Sequence, residues 1–295
     1  MYAFHYVDAF TTTPFEGNPC AVFPEAEGLE TAEMQELAKE TNLSETSFVF
    51  PSTQADFKVR YFTPRDEIPF AGHPTIATAF LLAQQGFAQL SGASTVLRFE
   101  FNIGVLPVQI LRSPDGGVEQ VGMQQQPPEF RQTIPAAKLA PLLSLEVDDF
   151  IEGVPGQVVS TGVPFLMIPL KSVRSVKAAD MDRPRLLELL TSLGVDAMLV
   201  FAPQGYTSEG DTFARLLDPK GAGEDPYTGS ATGCMGSFLY HHGIIERQSL
   251  ICEQGHLLGR PGSGRLELEG TPEHISAVHL FGSAATSLRG YYERS

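Results

Sequence analysis

The chain of 295 residues has no tryptophan, only three cysteines, and far fewer cations than anions. Lys and Arg number 20 against 35 Asp and Glu, a formal net charge of -15, and they form no basic stripe. Such a surface repels phosphate backbones, so no nucleic-acid partner is expected. Cys20, Cys234 and Cys252 cannot all pair, and none lies at the two-residue spacing of a metal site. Neither a disulfide scaffold nor a metal centre is expected, and a reducing compartment follows. No stretch approaches the roughly 18 apolar residues of a membrane helix. The opening Met1, Tyr2, Ala3, Phe4 and His5 carries no basic segment and already alternates like a strand. The expectation is a cytoplasmic protein with no membrane partner, long enough for two domains with cores of their own.

What the sequence does have is an uncharged stretch, 70–83, that is apolar on every side if helical. Such a helix belongs inside a core. Gly72 and Pro74 place its start at Gly72 or His73, because a proline in the first turn removes a donor that has no partner there. A second stretch, 228–240, is again uncharged and follows a proline turn at Asp225 and Pro226. Upstream text repeats as well: Arg60, Tyr61, Phe62, Thr63, Pro64 matches Arg215, Leu216, Leu217, Asp218, Pro219. The spacing far exceeds that of a repeat array, so the chain is read as a duplicated domain.

In order, strands are expected at 4–10 and 21–23, a helix at 31–42 capped by Thr31, a polar connector at 43–46, then strands at 47–50 and 57–62. The first long apolar helix follows, then a hairpin of 97–101 with 105–111. The turn cluster 113–117 is taken as the boundary between domains 1–115 and 116–282, with 283–295 as a last strand able to cross back. The second half reads as a strand at 118–124, a loop broken by prolines, a helix at 138–145, strands within 158–169, a helix at 183–193, a strand at 211–217, the second apolar helix from Gly229, and closing strands at 262–270, 275–281 and 284–291. The fold class is α+β: two pseudo-symmetric domains, each a curled, mostly antiparallel sheet or barrel around a central helix, with both helix starts facing one cleft.

Buried helix starts leave unpaired N–H groups and a positive dipole end, which suit a carboxylate. Glu45 sits in the polar connector just before an apolar strand, and by alignment of the halves falls opposite Asp196. His73 lies at a helix start, where the dipole disfavours the imidazolium. Asp225 precedes the second helix, as a cap or a substrate ligand. Ser230, with the N–H groups of Gly229 and Ala231, can form an anion nest. His241 and His242 end that helix and are read as structural. The glycine-rich text 221–233 lacks the lysine of a phosphate loop and does not match the dinucleotide fingerprint, so no nucleotide cofactor is expected.

These residues resemble the PhzF-like phenazine-biosynthesis isomerase family, a branch of the diaminopimelate epimerase-like fold. The likeness rests on Val7, Asp8, Ala9, Phe10 with Gly17, Asn18, Pro19; on Asn42, Leu43, Ser44, Glu45, Thr46; on Phe70, Ala71, Gly72, His73, Pro74, Thr75; and on Glu224 through Ala231. It implies a metal-free, cofactor-free isomerase, commonly a homodimer, acting on a small carboxylate-bearing molecule. It assigns Glu45 as general acid/base, with His73 and Asp225 beside it in the catalytic set, and Gly72, Gly229, Ser230 and Asn18 to substrate binding. Diaminopimelate epimerases of this fold use a cysteine at each helix start, and alignment puts those positions at Ala71 and Ser230. The chain has no such thiol pair. One carboxyl that removes and returns a proton is therefore expected, helped by a pKa raised by burial. The alternatives are a metabolite-binding or partner-binding protein that keeps the cleft without a reaction, and an epimerase variant.

Overall fold

The computed structural model describes residues 1–221 and 224–294; Ala222 and Gly223, within the glycine-rich text, and Ser295, the end of the expected last strand, lie outside the described residues. The chain divides into two compact units, 1–123 with 281–294, and 124–280.

The first unit begins β1 (Tyr2–Ala9), β2 (Asn18–Phe23), α1 (Thr31–Thr41), β3 (Glu45–Phe50), β4 (Phe57–Phe62), β5 (Glu67–Ile68), α2 (Gly72–Gln84), β6 (Ser94–Phe101), β7 (Gly104–Arg112) and β8 (Val118–Gln125). The second contains β9 (Glu129–Ile134), α3 (Ala136–Leu139), β10 (Gly156–Ser160), β11 (Pro164–Pro169), α4 (Val173–Ala178), α5 (Arg183–Leu193), β12 (Met198–Ala202), β13 (Thr212–Leu217), β14 (Glu224–Asp225), α6 (Gly229–His241), β15 (Ser249–Gln254), β16 (Gly262–Thr271) and β17 (His274–Gly282). The final strand, β18 (Ala284–Tyr292), pairs with β1 in the first unit.

Among the described residues pairing is mostly antiparallel, and each unit has parallel joints. In the first unit β2 runs parallel to β3, across α1, and β4 parallel to β6, across α2. In the second, β11 runs parallel to β12, across α4 and α5, and β13 parallel to β15, across α6. A parallel joint needs a crossover, and here each crossover is helical. Both units thus follow one topology, down to the two-residue strands β5 and β14 just before the long helices.

Why α2 is central follows from its composition. Every residue from His73 to Leu82 is buried, and strands β1, β2, β3, β7 and β18 surround the helix. Full burial of side chains such as Ile76, Leu81 and Leu82 contributes about 2 kcal/mol each. Helix α6 is held likewise by β10, β11, β12 and β16, and at Gly236 a Cβ would stand 1.8 Å from Leu266 Cδ2, so a larger residue there must displace the Leu266 side chain. Outside each sheet a second layer forms: Met34 and Ala38 of α1 pack on Phe23, Phe48 and Phe62, and Leu186 and Leu190 of α5 pack on Met198, Val200 and Phe213.

Several expectations shift. The turn at 113–117 lies inside the first unit, because β8 continues the ladder, Gln109 opposite Gly122. The helix expected at 138–145 is a single turn, α3, followed by a 3-10 turn at Ala140–Leu142, since Pro141 has no N–H to continue it. The loop after β8 contains β9, paired with β10. The cap of α1 is Glu30 rather than Thr31, and the helix ends at Asn42 in the left-handed conformation. Among the described residues no helix is long and apolar enough to cross a membrane.

Candidate active site

Glu45 is not in a connector. It is the first residue of β3, opposite Cys20 of β2, and its side chain is 19% exposed. His73, the second residue of α2, brings Nε2 to 3.4 Å from Glu45 Oε2. Asn18, the first residue of β2, is fully buried, with its amide nitrogen 3.2 Å from His73 Nδ1. Gly17 makes that approach possible: its φ is +59, and a Cβ there would lie 2.1 Å from the Ala9 carbonyl oxygen. The loop before it is anchored by buried Asp8, whose carboxylate accepts from the Phe15 N–H at 2.7 Å. Asn18, Glu45 and His73 therefore converge in the first unit; Gly72 opens the helix beside them.

Burial pushes the His73 imidazole down to about 3, against a smaller upward pull from the Pro19 carbonyl. The ring is therefore neutral near neutral pH, and its 3.4 Å approach to Glu45 is a close polar contact, not an ion pair. A neutral ring leaves the carboxyl free to exchange its proton without breaking a salt bridge. Burial, then the Glu45 charge, push the Cys20 thiol well up, so it stays protonated. Cys234 and Cys252 are buried free thiols, pushed up to about 11 and about 12, chiefly by burial. None of the three has the thiolate character of a catalytic cysteine.

In the second unit, Asp225 of β14 accepts a hydrogen bond from the Thr228 hydroxyl. Gln254, 2% exposed and absent from the sequence reasoning, clamps this turn: Nε2 donates to the Asp225 carbonyl at 2.8 Å and Oε1 accepts from the Thr228 N–H at 3.2 Å. Its counterpart in the first unit is Phe101, since Lys58 pairs with Glu100 as Phe213 pairs with Glu253. A polar residue where the other half has an aromatic was the available signal. Gly229 and Ser230 open α6, and Gln125 holds the Gly229 carbonyl at 2.9 Å. Neither α2 nor α6 has a side-chain cap on its first N–H groups. His241 stacks on Phe130, and its Nδ1 donates to the Pro272 carbonyl at 2.8 Å. Among the described residues no group of three His, Cys, Asp or Glu could hold a metal ion.

The pairing registers also correct the alignment of the halves. Thr46 faces Phe62 as Met198 faces Leu217, so Glu45 corresponds to Ala197, not to Asp196. Asp196 is a surface acid bound to Lys220 at 2.6 Å. Likewise Gly72 and Gly229 both open their helices, so Ala71 corresponds to Thr228, and His73 to Ser230. Neither helix start carries a thiol, and the place that Glu45 holds in the first unit is Ala197 in the second.

The profile of the family described as "Phenazine biosynthesis-like protein" matches residues 7–290. The chain belongs to this family. It is 34% identical to the trans-2,3-dihydro-3-hydroxyanthranilate isomerase of Pseudomonas aeruginosa, over 98% of this chain and 99% of that one. It is 32% identical to an uncharacterised isomerase of Bacillus subtilis, over 95% and 94% of the two chains. The crystal structure of a Bacillus anthracis phenazine biosynthesis protein of the PhzF family superposes with a TM-score of 0.88 at 27% identity, covering 98% of both chains. A hydroxyproline epimerase from Agrobacterium vitis shares the fold, with a TM-score of 0.64 at 13% identity over 98% of this chain and 91% of that one. The PhzF-like isomerase is thus an enzyme of the epimerase-like fold.

Proposed function

We propose that this PhzF-like isomerase works without cofactor or metal and moves a proton on a small, cyclic, carboxylate-bearing amino acid or enol, with Glu45 as its one acid/base. The observation that carries this reading is the asymmetry of the halves: Glu45 lies beside a neutral His73, and the corresponding place in the second unit is Ala197. Two-base racemisation needs a proton acceptor in each half. A single carboxyl removes a proton from one carbon, becomes the acid, and returns the proton to another carbon of the same conjugated system, so that its own protonation state is restored.

His73 and Asp225 complete the catalytic set, and Gly72, Gly229, Ser230 and Asn18 serve binding. The uncapped N–H groups at Gly72 and His73, and at Gly229 and Ser230, suit a substrate carboxylate. Asn18 acts through the His73 ring, which it contacts directly. The name of the Pseudomonas aeruginosa relative supplies a compound of the right class to assay.

Glu45→Gln keeps size and hydrogen bonding but cannot titrate. With trans-2,3-dihydro-3-hydroxyanthranilate as substrate, turnover should fall by roughly 10² or more while the melting temperature holds. Glu45→Asp withdraws the acid by about one methylene and should also cost on the order of 10². Wild-type turnover in Glu45→Gln would remove the assignment.

A further inference from the structure

The duplication provides an internal control on every buried polar residue. Where both units use the same elements at the same register, a hydroxyl found in only one of them is not required by the topology. By the registers above, Ser47 corresponds to Leu199 and Tyr61 to Leu216, and counting from Gly72 and Gly229, Thr78 corresponds to Met235. All six side chains are buried. Three hydroxyls in the first unit thus stand where the second has three apolar groups.

The hydroxyls tie α2 to two neighbouring strands, β3 through Ser47 and β4 through Tyr61. Ser47 Oγ and Thr78 Oγ1 are 2.7 Å apart, and the Tyr61 hydroxyl is 2.7 Å from Thr75 Oγ1. Thr75 itself donates to the Ala71 carbonyl, but Thr232 does the same to Thr228 in the second unit, so that link belongs to the shared fold. What is particular to the first unit is the tie from α2 to β3 and β4. Burying hydroxyls costs free energy unless they are bonded, and Leu199, Leu216 and Met235 fill the same places without that cost.

The clamp occurs in the half that has a carboxyl to position. Glu45 lies two residues before Ser47 on β3 and therefore on the same face, and His73 lies five before Thr78 on α2. Apolar packing holds two elements together while tolerating small slides; directional hydrogen bonds do not. We propose that Ser47, Tyr61 and Thr78 are positioning residues, a buried hydroxyl clamp that fixes β3 against α2 and so sets the approach of the Glu45 carboxyl to the His73 ring. This rests on Glu45 being the reacting carboxyl.

The test uses Tyr61→Phe and Thr78→Val, which remove one hydroxyl each at nearly constant shape, and Thr78→Ser, which restores one. Two readouts are taken: kcat and KM on trans-2,3-dihydro-3-hydroxyanthranilate, and the titration midpoint of the Glu45 side-chain carboxyl followed by carbon-13 NMR and assigned by its loss in Glu45→Gln. The expected result is that both hydroxyl deletions fold, with a melting temperature lowered by a few degrees because each leaves a buried hydroxyl without that partner. Their kcat should fall by about tenfold or more with KM within about twofold, as a sub-ångström displacement requires, and the Glu45 midpoint should move. Thr78→Ser should restore both readouts. Folded variants with wild-type kcat and midpoint would overturn the proposal. So would variants that fail to fold, because the hydroxyls would then serve stability. If the wild type itself does not turn over this compound, the functional reading fails for that substrate, and the Glu45 midpoint in Tyr61→Phe still decides the clamp.

Discussion

A neutral His73 has a consequence for acid stability that needs no substrate to measure. In the unfolded chain the ring has its ordinary value of 6.5; burial lowers it to about 3 in the folded protein. Below 6.5 the unfolded state therefore takes up a proton that the folded state refuses, so stability is lost as the pH falls through that window. At about pH 4.5 the separation is roughly two pH units, or about 2.7 kcal/mol. His73→Gln keeps polar capacity but cannot take the proton, so its loss of unfolding free energy between pH 7 and about 4.5 should be smaller than that of wild type by about 2–3 kcal/mol. Burial also lowers His5 and His242, but these act alike in both proteins and cancel. Urea unfolding at the two pH values gives the energies, and the His73 Cε1 resonance, assigned by its loss in His73→Gln, should show no titration above about pH 4.5. Equal acid losses in the two proteins, or a midpoint at or above 6.5, would mean that His73 and Glu45 form an ion pair and that the neutral-ring argument is wrong.

Other outcomes follow from packing and charge. Gly236→Ala should destabilise by about 1–3 kcal/mol in urea, because its Cβ meets Leu266 at 1.8 Å, and Leu266→Ala should relieve part of that in the double variant. Arg215→Ala should cost more than Arg60→Ala by about 1–3 kcal/mol: both lose an ion pair with a glutamate, but Arg215 also donates to the Val176 and Ala179 carbonyls at 2.8 Å, which would lose their donor. Chelation should leave turnover unchanged, and recovery of a chelator-inhibited enzyme by added metal would contradict the metal-free reading.

Much of the architecture was legible because composition left few options. An uncharged stretch such as 72–84 must be enclosed, and two such stretches with matching approaches imply duplication. Pro184 at the start and Gly194 at the end of α5 mark its limits locally, and the structure shows Gly194 left-handed at φ 69. What was missed depends on long-range pairing. Strand β9 is flanked by Pro128 and Pro135 and is largely polar, and only its ladder with β10 makes it a strand. Glu45 reads as connector because its strand identity comes from Cys20, far away in sequence. The one-residue error that set Glu45 against Asp196 has the same origin: letters alone do not fix the register of two related strands, whereas cross-strand partners do. Of the candidate residues, Glu45 was visible as a carboxylate just before an apolar strand, and His73 and Asp225 as polar residues beside helix starts. Gln254 and the hydroxyls of Ser47, Tyr61 and Thr78 were not, since their meaning lies in contrast with Phe101, Leu199, Leu216 and Met235.

The most direct test of a single shuttling carboxyl is the stereochemistry of proton return. The wild type is given trans-2,3-dihydro-3-hydroxyanthranilate in heavy water and the product is read by NMR for which carbon, and which face, received the new hydrogen. One carboxyl predicts that the incoming hydrogen, a solvent deuteron or the substrate's own returned proton, enters on the face from which a proton left, and that Glu45→Gln abolishes the transfer. Deuterium delivered to the opposite face of the carbon that lost its proton would require a second base and would contradict the account.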